Sequence, residues 1–359
     1  MSELTVKSNI ESEYHSLSNL EFCVSLYQGL KSMQENTYLI KLNFMKKGQH
    51  LFAIFEGHNG PEVAHYARRH LDEYIQQAFL YGSNEIHLAL KQAFLMFEES
   101  LSDNKALEEM KRIRKDIIGF SEHESGISSG SEAILGIIKN NTYYVASTGE
   151  SKCIVIRKKD YVQLYPHFII SESSEVKQKI VHILGEHNLK SNNCQHSFSA
   201  EPVVFLGQAS SDDIGILMFN RGIGKLIDDC ALAQFVKERI STKQIKEINE
   251  EIILLVLSKI GDKIIKTKEN LTVLLVKLGT ENLKDAKDSK ECKDIHKDHK
   301  EHKEIKENKD HKEHKDHKEH KEIKENKEHK DHKEHKDHKE HKDHKDHKEE
   351  DHHHFIIDK

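Results

Sequence analysis

An abrupt change in composition near residue 281 constrains the fold of this chain more than any other feature. Residues 281–359 are almost entirely Lys, Asp, Glu and His in short repeats, and 17 of the 28 histidines lie there. A segment with so few apolar side chains cannot bury a core. We therefore predict one globular domain over residues 1–280, followed by a low-complexity, disordered tail over residues 281–359.

The tail admits three interpretations. Its His-Lys-Asp and His-Lys-Glu triplets drift around a helix of about 3.6 residues per turn, so we expect disorder or a fraying exposed helix. Imidazoles spaced three residues apart can also chelate Zn, Ni or Cu weakly, and their protonation near about pH 6.5 can turn the tail cationic. Expansion by replication slippage, without a selected role, is the third interpretation.

The distribution of charge and of apolar residues argues against two classes of partner. The formal net charge of -6 divides evenly, with 32 basic and 35 acidic residues up to residue 280 and 23 and 26 beyond it. Neither part is therefore a polybasic surface for nucleic acid. The longest apolar run, residues 252–257, is too short to span a bilayer. We expect neither nucleic-acid nor membrane partners.

The N-terminal residues and the cysteines predict an intracellular protein, cytoplasmic or nuclear. The first ten residues, M-S-E-L-T-V-K-S-N-I, contain neither an apolar signal segment nor a glycine at position two, so secretion and myristoylation are not signalled. The five cysteines lie far apart and form no C-x-x-C pair. This spacing argues against both a zinc site and a dense disulfide framework.

The pattern of apolar residues predicts antiparallel sheets covered by helices. Runs rich in Val, Ile, Leu, Tyr and Phe predict strands at residues 22–27, 38–44, 51–55, 133–138, 143–146, 153–156, 203–206, 214–219 and 271–278. Apolar residues on one helical face predict helices at residues 61–79, 85–117 with a break near 102–104, 174–184, 229–240 and 242–260. This order of elements favours an α+β fold.

The stretch at residues 51–60, L-F-A-I-F-E-G-H-N-G, is the strongest local signal of a functional site. Its first five residues are bulky and apolar, which is the pattern of a strand buried on both faces. Glu56 and His58 then follow in a glycine turn, and Pro61 opens a helix. The stretch therefore predicts an acid and a histidine delivered to a site at a strand end.

Six segments, in the right order along residues 1–280, resemble the metal-dependent protein phosphatase family, type 2C (PPM-type). K-S-M-Q-E-N, F-A-I-F-E-G-H-N-G and S-G-S-E-A are similar to that family's R-x-x-M-E-D, F-x-V-F-D-G-H-G-G and S-G-T-T-A. Y-V-A-S-T-G-E-S-K, M-F-N-R and K-E-N-L-T-V are similar to its Y-V-A-N-x-G-D-S-R, the strand ending in S-D-G, and D-N-I/M-T-V. The resemblance implies an αββα sandwich: two antiparallel sheets, a helix pair on each outer face, and a metal cleft at one end.

In that family, carboxylates at strand ends hold two divalent cations, so that a bridging water can attack phosphorus. Two of these aspartates correspond to Asn36 and Asn220, which keep an oxygen but lose the charge. Two others correspond to Glu56 and Glu269, whose longer stems displace the carboxylates by roughly 1 Å, about twice what a catalytic site tolerates. We interpret the asparagines as former ligand positions and the glutamates as degenerate ones. Turn residues and solvated or Lys-paired acids are the alternatives.

Other positions complete the set that the resemblance implies. The backbone oxygen of Gly57 would contact the metals, and His58 would be a vestigial general acid or simply a polar residue at a helix N-terminus. Glu150, in place of the hairpin aspartate, would be an additional metal site. Lys31 replaces a phosphate-binding arginine but lacks its bidentate fork, and Arg221 stands where the family has a glycine.

These departures predict a pseudophosphatase, a binding or scaffold module that recognises phosphoproteins or kinases without hydrolysing them. Residues 164–169, L-Y-P-H-F-I, replace the family's D-H-K-P segment, and a shortened loop replaces its S-R-x-x-G-D flap. We expect no cofactor, with Mg or Mn bound weakly at best. The alternative is an active Mg/Mn-dependent serine/threonine phosphatase with altered ligands, because His58, Gly57, Glu56 and Glu269 remain.

Overall fold

A computed structural model describes residues 9–17, 20–81, 85–119, 128–139, 141–166, 180–186, 197–259 and 269–279. The chain divides into two units, Met1–Lys287 and Asp288–Lys359. The second unit, which contains most of the histidine-rich tail, lies wholly outside the described residues. The disorder of the tail and the domain boundary at residue 281 therefore stay predictions.

The described residues contain fourteen strands and six helices. The strands are β1 (Ile10–Ser16), β2 (Leu20–Tyr27), β3 (Thr37–Lys41), β4 (His50–His58), β5 (Gly130–Lys139), β6 (Thr142–Thr148), β7 (Lys152–Arg157), β8 (Tyr161–Gln163), β9 (Ile180–His182), β10 (Leu184–Gly185), β11 (Ser197–Ser199), β12 (Val203–Gln208), β13 (Asp213–Phe219) and β14 (Leu271–Leu278). The helices are α1 (Glu62–Tyr81), α2 (Ile86–Ser100), α3 (Asn104–Ile118), α4 (Arg221–Gly224), α5 (Asp229–Lys237) and α6 (Ile245–Lys259).

Two antiparallel sheets form the centre of the domain. The strand order of one sheet is β1-β2-β14-β13-β7-β8, and that of the other is β12-β6-β5-β4-β3, with β10 added to one end of β5. A small parallel pair, β9 and β11, lies apart from them. Consecutive strands such as β4, β5 and β6 are neighbours in this arrangement, so most connections are local.

Successive side chains along a strand alternate between two cores, and this alternation explains how the helices and sheets stack in layers. Phe52 and Ile54 of β4 belong to a core shared with the other sheet and with α5 and α6. Leu51, Ala53 and Phe55, the residues between and beside them, belong to a second core with α1, α2 and α3. Because successive side chains of a strand point to opposite faces, a strand buried on both faces must be apolar throughout. The result is the predicted αββα sandwich, and the α+β fold class is confirmed.

Most predicted elements are present, and the two clearest departures have a common cause. The break that the sequence predicted in the helix near residues 102–104 is present and separates α2 from α3. The helix predicted over residues 174–184 is wrong where the structure describes it, because Ile180–His182 and Leu184–Gly185 are strands; residues 174–179 lie outside the described residues. Strand β1, which the sequence did not predict, pairs with β2 along its whole length. In both cases, pairing with another strand, which is the next one along the chain for β1 and a more distant one for β9 and β10, overrides the local sequence preference.

None of the helices in the described ranges is both long and apolar enough to cross a membrane.

Candidate functional site

Strand β4 delivers the acid and histidine that the sequence singled out. The strand continues beyond Phe55, where the sequence predicted its end, and includes Glu56, Gly57 and His58. A Cβ on Gly57 would lie 2.5 Å from the backbone oxygen of Glu35. The glycine is therefore required because another segment of backbone packs directly against it. Whether the Gly57 carbonyl contacts a metal stays a prediction.

Glu132 of β5 is a site residue that the sequence analysis missed. It pairs with Glu56 across the two strands, and the two side chains are almost fully buried, with 7% and 4% of their residue surfaces exposed. The Glu132 carboxylate accepts a hydrogen bond of 2.7 Å from the backbone N–H of Glu150. A charged residue within the apolar strand S-E-A-I-L-G-I-I was a signal that could have identified it.

The charges of Glu56, His58 and Glu132 perturb one another. The imidazole Nε2 of His58 lies 3.6 Å from the Glu132 carboxylate, which is an ion-pair distance but too long for a hydrogen bond. Burial and the Glu132 charge raise the pKa of Glu56. Burial alone would lower the pKa of His58, but Glu132 and Glu56 outweigh it and raise this pKa. His58 likewise overcomes the effect of burial on Glu132 and lowers its pKa.

Arg221 brings a permanent positive charge into the same site. Its backbone N–H donates a 3.1 Å hydrogen bond to the Glu56 carboxylate, which also accepts a 3.3 Å bond from the Ser151 hydroxyl. The guanidinium lies 3.5 Å from Glu269 and 3.8 Å from Glu150. The sequence indicated a substitution of glycine by arginine here. It did not indicate that the guanidinium would lie between two predicted metal-ligand positions.

The two predicted former ligands both donate their side-chain amides to residues at the start of β14, whereas the side-chain oxygen of Asn36 is buried without a hydrogen-bond partner. Asn220 is fully buried; its Oδ1 accepts the backbone N–H of Thr272 at 3.0 Å, and its amide donates to the Asn270 carbonyl at 2.9 Å. Asn36 is also buried, and its amide donates to the Thr272 hydroxyl at 3.0 Å. Asn36 lies directly before β3, and Asn220 lies between β13 and α4, so the alternative that both are turn residues stays a prediction, as does their assignment as former ligands.

Lys31, the predicted phosphate contact, forms an ion pair with Glu35 four residues later. Glu35 in turn donates its backbone N–H to the side-chain oxygen of Asn270 at 2.9 Å. Asn270 also donates a 2.7 Å hydrogen bond to the carbonyl of Gln28. Asn270 thus fastens the loop that carries Lys31 to β14, a structural role that the sequence analysis did not assign.

A cavity of about 270 Å³ opens beside the acidic residues. Glu150, Arg221, Lys152, Lys225 and Tyr165 are among the residues that line it. Lys152 is paired with Asp229 at 2.9 Å and lies over the ring of Tyr165, whereas Lys225 is exposed. The residues after Pro166 that the sequence assigned to the missing flap lie outside the described residues, so the loss of the flap stays a prediction.

Comparison with known proteins agrees with this architecture. Residues 21–177 match the family model of Protein phosphatase 2C. The chain is similar to a probable protein phosphatase 2C 6 of Paramecium tetraurelia, at 24% identity over 281 residues that cover 72% of this chain and 92% of the relative.

Two solved structures share the fold. One is described as the structure of a C. elegans sex determining protein, with a TM-score of 0.55 and 17% identity over 75% of this chain and 67% of that one. The other is a serine-threonine phosphatase 2C from Toxoplasma gondii, with a TM-score of 0.53 and 9% identity over 75% of this chain and 99% of that one.

These matches correct the expectation about cofactors. The sequence led us to expect none, with Mg or Mn bound weakly at best and weak binding of Zn, Ni or Cu by the tail. Phosphatases of the matched family normally use Mg or Mn, so the relationship favours the family cofactor over none. The tail lies outside the described residues.

The donors in this site do not form the family's two-metal arrangement. In the ranges that the structure describes, no three His, Cys, Asp or Glu side chains are grouped so as to hold a metal ion. Asn220 has no free amide end, and the guanidinium of Arg221 lies between Glu150 and Glu269. Asn220 and Arg221 are therefore two positions at which the described site differs from the pattern of the matched family.

Proposed function

Since the chain carries a protein phosphatase 2C domain of the PPM type, we propose that it is a non-hydrolysing member, a pseudophosphatase, which uses the fold as a binding or scaffold module. The observation that carries this proposal is the state of Asn220. At a position where the family has a metal-binding aspartate, this side chain supplies no negative charge. Its oxygen accepts the N–H of Thr272 and its amide donates to the carbonyl of Asn270, both at the start of β14, so a metal would have to share a neutral oxygen that already accepts a hydrogen bond.

The remaining acids support the same proposal. Glu56 accepts two hydrogen bonds from within the protein, and burial beside Glu132 raises its pKa. Two-metal catalysis needs several ionised oxygens held to within about 0.5 Å. A carboxyl that burial and a like charge favour in its protonated form is a poor ligand for this purpose.

Restoring the family residues tests the proposal. The variant carries Asn36→Asp, Glu56→Asp, Asn220→Asp, Arg221→Gly and Glu269→Asp. We expect Mn-dependent release of phosphate from a phosphothreonine peptide by this variant and none above background by the native chain. Circular dichroism serves as the control for folding. Release of phosphate by the native chain that is above background and equal to that of the folded variant would contradict the proposal.

An active metal-dependent serine/threonine phosphatase is the second candidate, and His58 is the observation that favours it. Glu132 and Glu56 raise the pKa of its imidazole against the effect of burial, and this shift favours the protonated form. A protonated imidazole in this position can act as a general acid toward a leaving alcohol. Turnover by the native chain that is lost in Glu56→Ala would select this candidate.

We propose phosphoproteins or kinases as the protein partners, and neither nucleic acid nor membrane. The cavity beside Arg221 supports a phosphorylated partner, because Lys225 places an exposed ammonium at its wall. Fluorescence polarisation with paired phosphorylated and unphosphorylated peptides should show a preference of about tenfold or more for the phosphopeptides, reduced by Lys225→Met. Duplex DNA and anionic vesicles are the negative controls. Equal affinity for the paired peptides would contradict this partner class.

We also propose an intracellular location, cytoplasmic or nuclear. The three cysteines in the described ranges support it, since Cys23, Cys153 and Cys230 are all free thiols. Reduced cysteines are usual in proteins of the cytosol and nucleus.

A further inference from the structure

The connection between β3 and β4 contains a backbone conformation that is unusual for its sequence. Residues 42–49 have the sequence L-N-F-M-K-K-G-Q, and three of them have left-handed φ angles: Asn43 at 54°, Met45 at 61° and Gly48 at 79°. Glycine and asparagine adopt this region readily, whereas a methionine there is strained. Strained residues of this kind cluster at functional sites, so Met45 is a candidate for a functional residue.

Hydrogen bonds within the connection hold Met45 in this conformation. The N–H of Lys46 donates to the carbonyl of Phe44 at 2.7 Å, which closes a three-residue turn centred on Met45. Such turns with a positive φ at the central residue are rare because they are strained. The N–H of Phe44 also donates to the carbonyl of Gln49 at 2.7 Å. The connection therefore holds a large apolar side chain, 37% exposed, in a fixed position.

Met45 lines a small apolar cavity between this connection and two helices. Phe44, Phe79 of α1 and Ile86 of α2 line the same cavity. Its volume of about 10 Å³ is room for about one water molecule, so the side chain of a partner packs there only when Met45 moves aside. Methionine has three rotatable bonds and is frequent at surfaces that accept partners of varied shape. Met45 can therefore open the cavity to an apolar side chain.

Three lysines lie at or next to this cavity, and no acid among the described residues balances them. Lys46 and Lys139 line the cavity, and Lys47 follows in the exposed turn. The ammonium of the nearby Lys41 is 3.0 Å from Asp72, but no carboxylate in the described part of the chain pairs with the other three. Unpaired ammoniums beside an apolar surface attract and orient an anionic partner.

The residues at this cavity form one surface, the Met45 surface, which consists of Met45, Lys46, Lys47, Phe79 and Lys139. We propose that the Met45 surface binds a protein segment in which an apolar side chain is flanked by Asp and Glu. The apolar side chain packs on Met45 and Phe79, and the flanking carboxylates pair with the lysines. Membrane-binding segments typically carry about four to eight basic residues, so three lysines favour an acidic peptide over a membrane.

The Met45 surface is separate from the candidate site described above. Strand β4 begins at His50, directly after the connection, and ends at His58 in the candidate site. These two residues lie about 25 Å apart along an extended strand. The proposal therefore adds a second binding surface and does not rest on the proposed function.

Three synthetic peptides test the two parts of this recognition. The peptide D-E-D-L-F-D-E-D has both apolar side chains and acids, D-E-D-S-S-D-E-D lacks the apolar side chains, and N-Q-N-L-F-N-Q-N lacks the acids. In fluorescence polarisation with the full chain, we expect the first peptide to bind with a Kd of about 100 µM or tighter. Its affinity should be at least about tenfold higher than that of either control peptide.

Methyl NMR with isotope-labelled methionine locates the binding. The resonance that is missing from Met45→Asn belongs to Met45, and the first peptide should shift it in a saturable way without shifting that of Met110, which is 1% exposed. Because asparagine tolerates a left-handed φ, the Tm of Met45→Asn should be no more than about 2 °C below that of the native chain. Its affinity for the first peptide should be about tenfold lower.

Charge reversal tests the lysines. Lys46→Glu and Lys139→Glu should each weaken binding of the first peptide at least about fivefold. Lys158→Glu is the matched control. It reverses an exposed lysine in the turn between β7 and β8 of the other sheet, which is paired with Asp212 at 3.6 Å, and should change the affinity by less than about twofold.

Three results would overturn the proposal: no binding of the first peptide, equal binding of the three peptides, or binding that Met45→Asn and Lys46→Glu leave unchanged. Anionic vesicles and duplex DNA are measured in parallel. Binding of either that is tighter than that of the first peptide and is lost in Lys46→Glu would assign the surface to another class of partner and would also contradict the proposal. None of these measurements uses phosphate release or a phosphopeptide, so they leave the proposed function to its own tests.

Discussion

At the scale of single residues, the site differs from the family pattern in which positions carry a charge, and these positions are distant in the sequence. Asn36 and Asn220 have no charge to offer a metal, while Glu132 and Arg221 add one negative and one positive charge. Glu132 could have been recognised from the sequence, because a charged residue in a buried strand requires a partner. The position of the Arg221 guanidinium could not have been predicted from the sequence. Glu150 and Glu269 come from different parts of the chain and lie near the guanidinium only in the folded domain.

Gly57 offers a direct test of how closely the site is packed. Gly57→Ala would place a Cβ 2.5 Å from the Glu35 backbone oxygen and 2.9 Å from the Glu35 Cβ, so β4 or the neighbouring segment must move. We expect a loss of about 2–4 kcal/mol in the free energy of unfolding, measured in urea. Gly48→Ala is the control: its Cβ meets nothing within 4 Å, and only the positive φ of 79° opposes it, at about 1 kcal/mol. Equal losses would show that Gly57 is not closely packed.

His65 of α1 predicts a dependence of stability on pH. Burial, with Arg68 and Arg69 nearby, lowers the pKa of His65 to about 4, whereas an unfolded histidine titrates near about 6.5. The unfolded state therefore binds a proton first as the pH falls. The contribution of His65 is fully present above about pH 6.5 and is lost as the pH approaches about 4.

Between about pH 7 and about pH 5, the free energy of unfolding of the native chain should fall by about 2 kcal/mol more than that of His65→Gln. Urea unfolding of the two proteins at both pH values measures the difference. The same fall in both proteins would mean that His65 does not titrate as its burial implies.

At the scale of elements, the apolar pattern of the sequence anticipated strands and helices well where one element packs on another. The four-residue spacing of apolar residues in α1 indicates one buried helical face, and the continuous apolar run in β4 indicates a strand buried on both faces. Strand β1 has the sequence I-E-S-E-Y-H-S and lacks an apolar pattern of this kind. It is an edge strand that is held by its pairing with β2. The short strands β9 and β10 were mistaken for a helix for the same reason.

Helix α2 provides a matched pair of substitutions. Phe97 is fully buried, whereas Leu95 on the same helix is 42% exposed. Phe97→Ala should lower the free energy of unfolding by about 3–5 kcal/mol through lost burial and an unfilled cavity, and Leu95→Ala by under about 1 kcal/mol. Urea denaturation compares the two. A similar loss in both would imply that α2 does not cover the sheet as described.

At the scale of the whole molecule, the order of the elements predicted an α+β fold with antiparallel sheets inside and helices outside, and the resemblance of six segments implied the αββα sandwich. The layers follow from the alternation of apolar residues, which requires a covered face on each side of the sheets. What the sequence could not provide was the hydrogen bonding of Asn220 and Asn270. These bonds join residues that are adjacent only because β13 and β14 are neighbours in the sheet.

The tail should not contribute to the stability of the domain. Residues 281–359 have too few apolar side chains to form a core. A chain that ends at residue 280 should therefore unfold within about 2 °C of the full chain in differential scanning calorimetry. A markedly lower Tm for the shortened chain would show that the tail packs against the domain.

Our central proposal is that this chain uses a protein phosphatase 2C fold for binding and does not hydrolyse phosphoesters. The most direct measurement is phosphate release from p-nitrophenyl phosphate and from a phosphothreonine peptide by the purified full chain, across concentrations of Mn and Mg. We predict that the native chain releases no more phosphate than Glu56→Ala at any metal concentration. Metal-dependent release by the native chain that disappears in a folded Glu56→Ala protein would contradict the claim.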